Sequence, residues 1–186
     1  MSTEFVFIRH AQATHNVDAD QRGPVAYNDP IHTDAALTDT GYEQAYNTIV
    51  DGSFAAVYCS PLRRCRQTLL TIHPPFIDVP VQLDDRLMEP SGHVCNRRSE
   101  RMDVLADIPV IWDAWGVAAA NPWIPEEETI ADFHGRIRAF TVDMLRRHAG
   151  ERILIVSHFQ WIAAWFHLFK GCFVAPTNCQ VLTATL

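Results

Sequence analysis

An excess of positive charge is missing from this 186-residue sequence: 15 Lys and Arg against 22 Asp and Glu leave a formal net charge of −7. A global attraction for nucleic acid or an anionic membrane is thereby excluded, although a local basic pocket is not. Long hydrophobic runs are missing too. The most apolar stretch, Phe159 to Phe169, is too short to span a bilayer and contains Gln160 and His167. The first nine residues hold no charged leader and no small-residue cleavage site, so they read as an opening strand rather than a signal peptide. Cysteine is an odd five (Cys59, Cys65, Cys95, Cys172, Cys179) with no CxxC pair, which suits reduced thiols in a cytoplasmic protein. There is no internal repeat and no low-complexity linker. With 48% hydrophobic and 20% charged residues, the chain is expected to form one compact domain over residues 1–186.

Three short apolar runs, Phe5 to Ile8, Ala55 to Cys59 and Ile153 to Val156, read as buried strands. Separated by helical patterns, they predict an α/β fold of three layers, α/β/α, around a mostly parallel central sheet. Gln180 to Leu186 alternates and reads as a closing edge strand. Helices are expected from about Tyr42 to Val50 and after Ser60-Pro61, with Ser60 as cap and Pro61 at the first position. The clearest helix lies between Pro125 and Gly150. Ile130, Phe133, Ile137, Thr141, Met144, Leu145 and His148 share one of its faces, Glu126 to Glu128 favour its start, and Arg146 and Arg147 its end. Pro74 to Asn121 is irregular and reads as a cap or substrate loop, with Arg97, Arg98 and Arg101 clustered within it. Trp112, Trp115 and Trp123 read as cap packing.

Each of the three buried runs ends at once in a reactive group. Ile8 is followed by Arg9-His10, Cys59 by Ser60-Pro61-Leu62-Arg63-Arg64, and Val156 by Ser157-His158. Ligands of open parallel sheets bind outside the carboxyl ends of strands, so these groups are expected to converge at one mouth.

The stretch from Arg9 to Asn16 resembles the Arg-His-Gly signature of the histidine phosphatase superfamily, which includes the phosphoglycerate mutases. The likeness continues through Leu37-Thr38 with Gly41 and Gln44-Ala45, Ser60 to Arg64 with Gln67-Thr68, Asp85 to Glu89, and Val156-Ser157-His158. Five segments in family order span nearly the whole chain. Ala11, with Cys95 to Ser99, looks like the eukaryotic phosphoglycerate-mutase-like branch. Four positions depart from the pattern: Ala11 replaces glycine, Gln12 a frequent Glu, Cys65 a common Ala, and Phe159 a glycine, the last bearing on substrate class.

The resemblance implies a role for each matching residue. His10 would attack phosphorus and carry the phosphoryl group, as a neutral imidazole can. Arg9, Arg64 and His158 would hold the phosphoryl oxygens, the arginine forks supplying paired donors. The helix start after His158 would favour an anion. Asn16 would donate to phosphate or substrate, and His15 either contacts substrate or lines the loop. Glu89 would protonate the leaving oxygen and then activate water, although Asp84 and Asp85 lie close by. Arg64 is selected over Arg63 and Arg66 by the Ser-Pro-Leu-x-Arg spacing. No cofactor and no metal are called for. His93-x-Cys95 has no second pair at metal-site spacing, so it reads as a structural or substrate-loop feature. Arg97 and Arg98 either meet a distal anion or are solvated.

The expected activity is hydrolysis of a small phosphorylated substrate, without nucleic acid or membrane as partner. The rivals are a phosphoglycerate mutase, disfavoured by the short chain, and a catalytically silent phospho-ligand or protein-binding module on the same fold. A metallohydrolase built on the nine histidines ranks last. The leaving group and the oligomeric state are left open.

Overall fold

A computed structural model describes residues 2–72, 79–110, 112–117 and 127–186. Its centre is a six-stranded sheet. The strands are β1 (Glu4–Arg9), β2 (Ala56–Cys59), β3 (Val81–Asp84), β4 (Asp113–Gly116), β5 (Arg152–Ser157) and β6 (Val181–Thr185), in the order β4-β3-β2-β5-β1-β6. Every neighbouring pair is parallel except β1 and β6, where the alternating C-terminal run closes the edge antiparallel. The three runs expected as buried strands are the contiguous trio β2-β5-β1. Being parallel, they end on the same side of the sheet.

Among the described residues there are six α-helices: α1 (Thr14–Arg22), α2 (Asp39–Tyr46), α3 (Arg63–Thr71), α4 (Arg101–Ala106), α5 (Ile130–Arg147) and α6 (Phe159–Lys170). Successive strand residues point to opposite faces, and that alternation divides the core. Val6, Ile8, Val57, Cys59, Leu154 and Val156 pack with Ala45 of α2 and with Cys65 and Leu69 of α3. Phe5, Phe7, Tyr58, Ile153 and Ile155 pack with Phe133, Ile137, Phe140 and Met144 of α5 and with Trp161 and Trp165 of α6. This is the three-layer α/β/α arrangement. Among the described residues no helix is long and apolar enough to cross a membrane.

Several boundaries differ from the sequence reading. Helix α2 starts three residues early, because the Thr38 hydroxyl accepts the Gly41 amide at 3.0 Å and caps it. Ser60 is not a helix cap: α3 starts at Arg63 after Leu62, and the Ser60 hydroxyl turns to His158 instead. On α5 the expected face is buried at Phe133, Ile137, Thr141 and Met144. Ile130 is 75% exposed, and Phe140 takes the core position. A Thr129–Asp132 capping box opens α5. Glu128 is withdrawn into a buried ion pair with Arg136, and Glu126 lies outside the described residues. The stretch read as irregular contributes β3, β4 and α4, with Trp112 packed against the core; Pro74 and Trp123 lie outside the described residues.

Gly41 has a steric reason. A Cβ there would collide with the backbone carbonyl of Gln12, so α2 lies directly on the loop that follows β1. The same loop is tied by side chains: Gln44 accepts the Gln12 amide at 2.9 Å, and Thr68 accepts the Ala11 amide at 3.0 Å. Gln67 accepts the nearby Leu37 amide at 2.9 Å. These motif glutamines and threonine hold backbone.

Candidate active site

The carboxyl ends of β1, β2 and β5 open into a pocket of about 310 Å³, lined by Arg9, His10, His15, Asn16, Tyr27, Arg64, Glu89, His93, Cys95, Asn96, Phe159 and Gln160. Most of the residues expected at the site from the sequence line it. His158 stands just behind, fully buried, with its ring centroid 5.1 Å from that of His10.

His10 is anchored through its backbone. Its amide donates to the Ser157 carbonyl at 2.9 Å, and its carbonyl accepts from Asn178 Nδ2 at 2.8 Å. Its ring Nδ1 lies 2.8 Å from the Ala11 carbonyl, a group that only accepts, so the proton sits on Nδ1 and Nε2 keeps its lone pair. Burial, then the Arg64 and Arg9 charges, push the ring's pKa well below the ordinary imidazole value. At neutral pH it is an uncharged base. Ala11, in the usual glycine position, is not among the residues with positive φ, so a methyl group fits there.

Arg64 is 1% exposed and held along its whole guanidinium: Nε donates to His158 Nδ1 at 3.3 Å, Nη1 to the Cys95 carbonyl at 2.8 Å and Nη2 to Asn96 Oδ1 at 2.9 Å. Three of its five N–H donors are thus committed, leaving two. Because an arginine nitrogen can only donate, His158 Nδ1 must accept. Its proton then sits on Nε2, which gives it to the Ser60 hydroxyl at 2.8 Å. His158, held neutral first by burial and then by Arg64, braces the arginine from behind. The neighbouring arginines are spent elsewhere: Arg66 is buried against Asp107 at 3.1 Å, and Arg63 is exposed.

Arg9 donates to the Pro176 carbonyl at 3.0 Å, and its guanidinium carbon lies 5.3 Å from the centre of the Phe159 ring. Burial lowers its pKa, with Glu89 pulling the other way and Arg64 reinforcing the fall.

Glu89 accepts the backbone amides of Gln160 at 3.1 Å and Trp161 at 3.2 Å. The helix start expected to favour an anion is therefore filled by this carboxylate, not left open. Burial raises the Glu89 pKa despite those amides and the two arginines. The competing carboxylates are occupied: Asp84 is gripped by Arg86 at 2.6 Å, and Asp85 pairs with buried Arg98 at 2.9 Å. Arg98 is accordingly a structural cation, which removes it as a contact for a distal anion.

Asn16 accepts the Ala13 amide at 3.0 Å and places its Nδ2 group 3.2 Å from His15 Nε2. His15 is 5% exposed and its pKa falls to about 2, mainly through burial. Among the described residues no group of three or more His, Cys, Asp or Glu could hold a metal ion, so His93 and Cys95 line the pocket without forming such a group.

The sequence reading missed Ser60 as a partner of His158, Asn96 as a partner of Arg64, and Tyr27 in the pocket wall. It also missed Arg136, which donates to the carbonyls of Arg86 at 2.9 Å, Met88 at 2.6 Å and Glu89 at 3.1 Å. Only its regular helical spacing from Phe133 and Phe140 hinted that it lay on the buried face.

Residues 5–182 match the family described as the histidine phosphatase superfamily (branch 1). A Hydrogenobacter thermophilus protein assigned as a phosphoserine phosphatase is 26% identical over 160 residues, covering 81% of this chain and 70% of that protein. Two solved structures share the fold. Phosphoserine phosphatase from Entamoeba histolytica, in complex with 3-phosphoglyceric acid, has a TM-score of 0.64 at 20% identity, over 97% of this chain and 89% of that one. Alpha-ribazole phosphatase from Shigella flexneri has a TM-score of 0.65 at 23% identity, over 97% of this chain and 89% of that one.

Proposed function

The chain belongs to the histidine phosphatase superfamily (branch 1), and from that premise we propose that it hydrolyses a small phosphate monoester through a phosphohistidine on His10. One observation carries the reading: the lone pair of His10 Nε2 shares a pocket with two guanidinium groups and a carboxyl group of raised pKa.

In the first half-reaction His10 Nε2 forms a bond to phosphorus while the P–O ester bond breaks. Protonated Glu89 gives its proton to the departing oxygen, and the alcohol leaves. In the second, a water oxygen attacks phosphorus and loses its proton to the Glu89 carboxylate. The P–N bond breaks, and inorganic phosphate and neutral His10 are released. Arg9, the two uncommitted N–H donors of Arg64 and the Asn16 amide surround the phosphoryl oxygens, where charge spreads in the transition state. His158 acts on that group through the arginine it braces, and these residues carry the charge stabilisation without a metal ion. All five cysteines are free thiols, which supports a reducing compartment such as the cytoplasm.

The test uses a panel of phosphomonoesters, including phosphoserine, with phosphate release compared between wild type and His10→Ala. A loss of at least about a thousandfold is expected for a nucleophile. Mass spectrometry after quenching at high pH, where a P–N bond survives, should place one phosphate on His10. Equal release by both proteins would remove His10 from the reaction. Faster isomerisation of 3-phosphoglycerate than phosphate release, in the presence of 2,3-bisphosphoglycerate, would turn the assignment to a mutase.

A further inference from the structure

Aromatic rings continue outward from the nucleophile in a row. His10 and His15 have ring centroids 6.0 Å apart, His15 and Tyr27 6.0 Å, and Tyr27 and His93 5.5 Å. Exposure rises along the row, from buried His10 and His15 to half-buried Tyr27 and His93, so it leads from phosphorus toward the mouth. His93 is steadied by its Nδ1 contact with Asn28 Oδ1 at 3.2 Å.

His15 holds a fixed tautomer within this row. Asn16 uses its oxygen on the Ala13 amide, so the group facing His15 Nε2 is its NH2, and Nε2 must accept. The His15 proton is then on Nδ1, a buried atom with no partner.

Charge narrows the choice further. Beyond Arg9, Arg64 and Glu89, no described residue lining the pocket carries a fixed charge. A leaving group with its own carboxylate or ammonium would find no fixed partner there. The volume of about 310 Å³ lies at the low end for ligand sites, enough for a phosphoryl group with one ring rather than an extended polyanion.

We propose that Tyr27 and His93 form a leaving-group subsite selecting monoesters whose alcohol carries one uncharged planar ring. This rests on the phosphatase reading, since it is the outer half of the same pocket. Ring faces offset-stack or meet edge to face, whereas a saturated ring of the same size offers no such complementarity.

The test separates the subsite from the chemistry. Benzylphosphonate and cyclohexylmethylphosphonate cannot transfer a phosphoryl group, and their affinities are measured by calorimetry on wild type, Tyr27→Leu and Tyr27→Phe. Wild type should prefer the benzyl compound by roughly three- to tenfold. Tyr27→Leu should bring that ratio near one by weakening the benzyl compound alone, and Tyr27→Phe should keep it. Equal affinities in wild type, no binding of either compound, or equal weakening of both by Tyr27→Leu would overturn the subsite. Turnover of benzyl and cyclohexylmethyl phosphate, whose alkoxide leaving groups are similar, is measured in parallel. Release that is insensitive to His10→Ala overturns the phosphatase reading, while His10-dependent release without ring preference overturns only the subsite.

Discussion

Phe159 occupies a position where the family pattern has glycine, and its ring has a definite job: it carries the Arg9 guanidinium on one face. Arg9 is otherwise anchored at the Pro176 carbonyl, and its buried Nε has no partner among the described residues. A partly exposed cation–π contact contributes about 0.5–1 kcal/mol, a factor of roughly two to five in an equilibrium. Phe159→Gly should therefore raise KM for every monoester by about that factor and leave kcat nearly unchanged, read from steady-state kinetics. A large fall in kcat with constant KM would show that the ring acts in the transition state instead. The residue identities at the pocket's centre were legible from five motifs. Their protonation states were not: the tautomer of His158 is fixed by the distant Ser60 and Arg64, and those of His10 and His15 by contacts to Ala11 and Asn16 that exist only in the folded loop.

The Asp85-to-Glu89 segment shows how elements hold a catalytic candidate that lies on irregular chain. Arg136 of α5 binds three of its carbonyls, those of Arg86, Met88 and Glu89. Trp161 Nε1 of α6 donates to the Arg86 carbonyl at 2.7 Å, and Ser157 at the end of β5 donates to the Leu87 carbonyl at 2.8 Å. Arg136 also takes both oxygens of Glu128, at 2.6 and 3.0 Å. Arg136→Lys keeps the charge and loses the planar fork. The loosened segment should weaken the amide bonds that favour ionised Glu89, so its pKa rises further. We expect kcat to fall about tenfold with little change in KM, and the pH limb belonging to Glu89 to move to higher pH. A stability loss with an unmoved limb would limit Arg136 to a structural role. Long-range grips of this kind are invisible to a motif, since Arg136 stands 47 residues from the Glu89 carbonyl it binds.

Across the molecule, a net charge of −7 surrounds a pocket built on two arginines and three neutral histidines. Those imidazoles link stability to pH. His10, His15 and His158 have depressed pKa values when folded, while an unfolded chain protonates each near 6.5. Stability from their neutral burial is complete above that value. It drains as pH falls below it, because the unfolded state then binds more protons, by at most about 1.4 kcal/mol per pH unit for each ring. Glu89 acts in the opposite sense: its raised pKa lets the folded state keep a proton that the unfolded chain releases, so its ionisation costs stability as pH climbs. With three groups against one, Tm should fall between pH 7.5 and 5.5, with net proton uptake on unfolding by calorimetry. A flat Tm over that range would contradict buried neutral rings.

The order of apolar runs, each closed by a reactive residue, was enough to specify a parallel α/β sheet and to point to His10, Arg64 and His158, and the family resemblance added Glu89. Strand periodicity and motif spacing are local properties, written within a few residues. Which carboxylate stays uncommitted, which nitrogen of each histidine holds the proton, and which rings wall the outer pocket depended on the folded chain. Most are set by neighbours brought from farther along the chain: Arg98 onto Asp85, Ser60 onto His158, and Tyr27 beside His93. Hydrogen-bond satisfaction is a property of a closed environment, and no environment is closed until the strands have paired.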